Sequence, residues 1–152
     1  MGKVSAYIDV PGLVSEAETL WYDHRRWPAF VDGLKHVARV EGDWPARDAR
    51  VVWDSHPAGR GRVIERVVAY EARAGQTLDV EDERIRGAQR VRFEPRDGGA
   101  RILLELDYEL KERRGVVAVV DLVFVRRPQR ESLQRTLRRF ATELAAERDL
   151  AV

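Results

Sequence analysis

Residues 128–150 read PQRESLQRTLRRFATELAAERDL, Pro128 to Leu150, and this stretch decides the fold. Its apolar side chains recur at Leu133, Leu137, Phe140, Ala141 and Leu144, mostly three or four apart, which is one stripe of an α-helix. Arg130, Arg135, Arg138, Arg139, Glu143 and Glu147 read as a solvated face. Pro128 suits the first turn, where its missing N–H costs nothing. Upstream the chain alternates apolar and polar residues like antiparallel strands, apart from one short helical pair. Neither an apolar helix stripe nor an apolar sheet face can stay wet, so each has to cover the other.

Alternation and turn residues mark the other elements. Lys3–Val10 alternates as a strand and stops at Pro11-Gly12. Leu13–Tyr22 reads as a helix with Leu13, Ala17, Leu20 and Trp21 on one face, and Ala29–Val31 can add one more short turn. Further strands are expected at Lys35–Glu41, Ala49–His56, Arg62–Ala72, Thr77–Ile85 (stopped by a turn at Gly87), Gln89–Glu94 and Arg101–Glu112. Asp97-Gly98 marks a hairpin. Short connections predict sequential antiparallel pairing rather than βαβ units. Val116–Val125 is β-branched enough for a strand, but its place before the long helix favours a helical approach segment. The expected fold is α+β: a curved antiparallel sheet of six to seven strands around a long C-terminal helix, with two short helices after the first strand, as one domain over 1–152.

Composition removes several function classes. There is no cysteine among the 152 residues, which excludes disulfides, thiolate metal sites and cysteine nucleophiles. A net charge of +1 gives no bulk drive toward nucleic acid or anionic membrane. The N-terminus lacks the apolar core of a signal peptide, and the longest apolar run is about half a membrane span, so a cytoplasmic protein is expected. No G-x-S-x-G supports a serine hydrolase, and Gly59-Arg60-Gly61-Arg62 joins strands rather than opening a helix as a phosphate loop would.

The stretch IDVPGLVSEAETLWYDHRRWPAFVDGLKHVARVE, residues 8–41, carries a family resemblance. Its strand end Ile8-x-x-Pro11 leads into a helix and then Asp23-x-x-Arg26-Trp27-Pro28-x-Phe30. With RVIERVVAY (Arg62–Tyr70), Phe93-Glu94-Pro95 and the closing helix, the chain resembles the START/Bet v 1-like superfamily of helix-grip proteins, specifically bacterial polyketide cyclase/dehydrase-type domains. The resemblance implies a cavity for an apolar or aromatic small molecule between sheet and helix; a plainly filled core is the competing reading.

Candidate ligand-binding residues follow from the strand phases. Tyr108 alternates with Leu104 and Leu106, while Thr136 and Phe140 lie on the helix stripe. Asp82 shares a side with Leu78 and Val80, and Arg66 shares one with Ile64, Val68 and Tyr70. A buried Asp82 would need a partner such as an arginine across the sheet; solvated strand ends or a register-flipping bulge would remove both from the site. Trp53, between Val51, Val52 and the strand end, is the tryptophan best placed to line a pocket, while Trp21 and Trp27 read as structural and Trp44 as part of a turn. His24, His36 and His56 lack metal-site spacing, so neither metal nor cofactor is expected. His56 beside Asp54 is the best general-base candidate, against the plainer reading of an exposed strand end. Three functions remain open. One is binding of a polyketide, quinone or lipid-like compound oriented by Trp53, Arg66, Tyr70 and Tyr108; another is a cyclase/aromatase-type enzyme. The third is a partner-binding protein or homodimer using Val116–Val125.

Overall fold

A computed structural model describes residues 2–111 and 126–151. The strands are β1 (Gly2–Pro11), β2 (Leu34–Glu41), β3 (Arg50–Ser55), β4 (Arg62–Glu71), β5 (Gly75–Glu81), β6 (Ile85–Arg96) and β7 (Gly99–Leu110). Short turns join β2 through β7, so these pair in sequence, and β1 closes the order β1-β7-β6-β5-β4-β3-β2, antiparallel throughout. The β6–β7 hairpin turns at Asp97-Gly98, where Gly98 takes φ 71°, a conformation that favours glycine. Helix α1 (Val14–Tyr22), a 3₁₀ turn at His24–Arg26 and α2 (Trp27–Phe30) follow β1, and α3 (Arg127–Leu150) ends the chain. At the start of α1 the Glu16 side chain reaches back and accepts from the Leu13 N–H at 3.1 Å. No helix among the described residues is long and apolar enough to cross a membrane.

Of the stripe expected on the C-terminal helix, Leu133, Leu137, Phe140 and Leu144 are buried, together with Thr136, while Ala141 is half-buried. The helix packs on β1, α1 and α2. Phe140 sits edge-on against both Trp21 and Phe30, each with ring centroids 5.3 Å away. On β7 the inner face is Ala100, Ile102, Leu104, Leu106 and Tyr108, all buried. Arginine–carboxylate pairs such as Arg101–Asp9 and Arg86–Glu109 cover the outer face.

The largest departures from the expected boundaries lie around β5 and β6. The strand expected to run from Thr77 to Ile85 ends at Glu81, because Asp82 turns the chain by accepting from the backbone N–H groups of Arg84 (2.8 Å) and Ile85 (2.9 Å). Gly87 is not a turn but part of β6. It lies opposite Tyr108, and a Cβ there would run into the backbone carbonyl of Asp107. The expected Val116–Val125 segment, and with it the partner-binding surface, lies outside the described residues.

The α2–β2 loop is fastened to α3 through Asp32. Its carboxylate accepts from Ser132 Oγ (2.8 Å), Arg135 Nε and Nη2 (3.0 Å each) and Arg139 Nη1 (3.2 Å), and its backbone N–H donates to Thr136 Oγ1 (2.9 Å). Burial pushes the Asp32 carboxyl up, but the hydrogen bonds from Arg135 and Ser132 and the nearby arginine charges outweigh it and leave the pKa below the ordinary value. A carboxylate with a depressed folded pKa contributes stability that is complete above its unfolded value of about 3.9 and disappears as the pH falls through the folded one. Asp32→Ala should therefore lower Tm by roughly 5 °C at neutral pH, for a loss of about 2 kcal/mol. In thermal melts the gap to the wild-type chain should hold down to about pH 5 and narrow as the pH falls below the ordinary carboxylate range.

Candidate functional site

Between the inner face of the sheet and α3 lies a partly enclosed cavity of about 50 Å3, walled by Trp27, Phe30, Trp44, Trp53, Leu104 and Leu133 among others. That is space for roughly three or four water molecules. Indole N–H groups lock the aromatic wall: Trp27 Nε1 donates to the Trp21 carbonyl and Trp44 Nε1 to the Tyr22 carbonyl, both at 2.8 Å. The Trp27 and Trp44 rings meet edge to face at 5.4 Å. Asp32, Ser132 and Thr136 line the α3 side, so the Asp32 fastening is also part of the cavity wall. A larger hollow of about 560 Å3 lies on the outer face of the sheet. It is open to solvent, and charged side chains such as Arg66, Asp79, Arg86 and Asp107 wall it, so the more enclosed aromatic cavity is the better ligand site.

The sheet side of the cavity carries a polar cluster. Glu65 faces inward from β4 and is only 7% exposed. Its Oε1 accepts from Trp53 Nε1 at 3.2 Å, its one hydrogen bond among the described residues. Burial pushes the Glu65 carboxyl above the ordinary range; the Trp53 N–H and the charge of Arg60 oppose that shift without offsetting it. Arg60, from the β3–β4 loop, places its guanidinium 5.6 Å from the Trp53 ring centroid and donates from Nε to Asp82 at 2.7 Å. Its Nη2 is buried and has no hydrogen-bond partner among the described residues. Gln76 and Gln89 complete the polar lining, Gln76 donating to the Pro45 carbonyl at 3.0 Å.

Of the residues expected at the site, Trp53 and Thr136 line the cavity. Asp82 is buried and does take an arginine, but from the neighbouring loop, and its other oxygen shapes the β5–β6 turn. Phe140 is wholly buried among Trp21 and Phe30 rather than in the cavity wall. Tyr108 is buried across from Gly2, where a Cβ would run into its ring. Tyr70 packs edge-on against Tyr22 at 5.6 Å, outside the cavity wall. Arg66 is a correction: its side chain is 59% exposed on the outer face and pairs with Asp48 at 3.3 Å. The inner face of β4 is Val63, Glu65 and Val67, the opposite phase from the one expected, and a bulge between Val67 and Ala69 then shifts Tyr70 out of step. His56 is exposed, and Asp54 pairs with Arg62 (2.9 Å) and His36 (3.2 Å) instead. Among the described residues no group of three or more His, Cys, Asp or Glu could hold a metal.

Glu65, Arg60, Gln89 and Trp44 were missed. Val63 and Val67 make the alternate phase of β4 as apolar as Ile64 and Val68, so Glu65 was readable only as one of two equal options. Arg60 sits in a Gly-flanked loop with no periodicity to aim it.

A seven-stranded antiparallel sheet wrapped on a long C-terminal helix, with short helices after β1, is the helix-grip fold of START-like proteins. The chain belongs to the family described as polyketide cyclase/dehydrase and lipid transport, which matches it over residues 1–145. No curated protein sequence matches it significantly. Among solved structures, a Thermus thermophilus protein superposes with a TM-score of 0.80 at 19% identity, covering 96% of this chain and 99% of its own. A START superfamily protein from Mycobacterium smegmatis does so at 0.74 and 15%, covering 95% and 97%. The di-domain ARO/CYC StfQ from the steffimycin biosynthetic pathway does so at 0.77 and 17%, covering 97% of this chain and 51% of its own. At these identities the likeness is one of fold.

An acid whose folded pKa is raised contributes stability that is complete below its unfolded pKa and is lost as the pH rises through the folded one. Glu65→Gln keeps an oxygen for the Trp53 N–H and cannot ionise. Its Tm should match wild type near pH 4 and exceed it at pH 9, in melts recorded across that range; a constant difference would mean Glu65 does not titrate with folding.

Proposed function

We propose that this chain, acting as one domain, binds a hydrophobic small molecule of polyketide, quinone or lipid-like type in the cavity between the sheet and α3. The observation that carries the reading is the composition of the cavity wall: four tryptophans and a phenylalanine line it, with a few polar groups on its sheet and α3 sides. Aromatic walls supply area to planar or extended apolar ligands, and sparse polar groups orient them. Drug-sized ligands fill sites of roughly 300 Å3 or more, so binding has to widen the cavity, and the seam held by Asp32 is where helix and loop can part. On composition and charge we expect a cytoplasmic protein without a nucleic-acid partner.

A second reading, a cyclase/aromatase-type enzyme, is favoured by one observation, the inward carboxyl of Glu65 beside Arg60. Aldol closure or dehydration of a folded polyketone needs an acid/base group within reach, and Glu65 is the candidate.

Mass spectrometry of the organic extract of natively purified protein tests the binding reading. A stoichiometric apolar compound is expected, and Leu133→Trp, which adds bulk to the cavity wall, should lose it at unchanged fold. Equal recovery from both proteins would place the ligand elsewhere. Turnover of a poly-β-ketone that stops with Glu65→Leu would favour the enzyme reading over the simple binder.

A further inference from the structure

Nothing in the packing calls for an acid at position 65. Its neighbours across the sheet are Val51 on β3 and Val80 on β5, and an aliphatic side chain there would cost nothing in desolvation. The carboxyl has one hydrogen bond, to Trp53, which leaves its second oxygen without a partner among the described residues. On the same indole lies Arg60, whose Nη2 is buried and equally unpartnered. Two polar groups with spare hydrogen-bonding capacity thus share the sheet side of the cavity. A buried donor without an acceptor is costly unless something else supplies one.

We propose that Glu65 is the specificity-determining residue of this cavity: as an uncharged carboxylic acid held by Trp53, it donates its proton to a carbonyl oxygen of the ligand, and Arg60 Nη2 is left to serve a separate, second acceptor of the ligand. This rests on the cavity reading above and narrows it to ligands that present an acceptor oxygen at the polar side. The charges around Glu65 permit the neutral form. Arg60 is matched by Asp82 from the β5–β6 turn, so the pair adds no net charge. Gln76 on β5, Gln89 on β6 and Trp53 on β3 are neutral, and Asp32 on the α3 side is matched by Arg135 and Arg139. Burial holds the Glu65 carboxyl above the ordinary range, in keeping with a protonated donor.

The test uses three probes of one shape: fluorene, its ketone fluorenone and its alcohol fluorenol, titrated into the full chain by tryptophan fluorescence. At pH 5 wild type should bind fluorenone about tenfold more tightly than fluorene, the worth of one good hydrogen bond, and fluorenol less well than fluorenone. The preference should vanish as the pH rises through the Glu65 transition. Glu65→Gln, whose amide N–H also donates, should keep it at every pH; Glu65→Leu should lose it at every pH while still binding fluorene. A preference that survives in Glu65→Leu, or that ignores pH in wild type, overturns the inference and leaves the cavity standing. Failure of all three probes to bind wild type overturns the cavity reading, and this inference with it.

Discussion

The structure depends on mutual burial of two surfaces that water would not tolerate separately. One is the inner face of the sheet, with Ile102, Leu104 and Leu106 of β7 at its centre; the other is the Leu133–Leu144 stripe of α3. Every other element serves that closure. Strand β1 supplies the edge on which α3 rests, and α1 and α2 fill the gap beside it with Trp21, Trp27 and Phe30. Burial alone does not fix how far apart helix and sheet stand, because apolar contact has no direction. Directional bonds set that spacing: Asp32 to Ser132, Arg135 and Arg139 on the helix side, and the Trp27 and Trp44 indoles to the α1 backbone on the other.

Legibility in the sequence followed periodicity. The C-terminal helix, the hairpin at Asp97-Gly98 and the alternation of β7 each carry a pattern only one structure satisfies, and each formed as expected. Strand β4 carries two. Val63, Val67 and Ile64, Val68 make both faces apolar, and the face was chosen by packing against β3 and β5, which no local pattern encodes. The cost of that ambiguity fell on the site, since it exchanged Glu65 for Arg66. Gly87 misled for another reason: a glycine that breaks a chain and one that lets two strands approach look alike in sequence.

Trp44 shows a different gap. Its place in a turn was evident, yet its ring crosses the space to meet Trp27 and Tyr22, and its N–H ends on a carbonyl 22 residues away. Contacts of that sequence separation come from the topology of the sheet. Loops brought to one end of a curved sheet acquire functions that their own composition does not announce.

The polar side of the cavity is where stability and function pull apart. An aromatic wall around a small void already satisfies the fold, and replacing Glu65 and Arg60 by apolar groups would remove two desolvation penalties. Asp82 recovers part of that cost for Arg60 and in the same stroke shapes the β5–β6 turn, so the arginine is anchored at Nε while its buried Nη2 stays uncommitted. Trp53 does the same for Glu65, holding one oxygen and leaving the other. Each group is thus fixed in position by one partner and keeps hydrogen-bonding capacity to spare. Side chains retained only for packing have no reason to be held that way, whereas groups that must meet a ligand at a set place do.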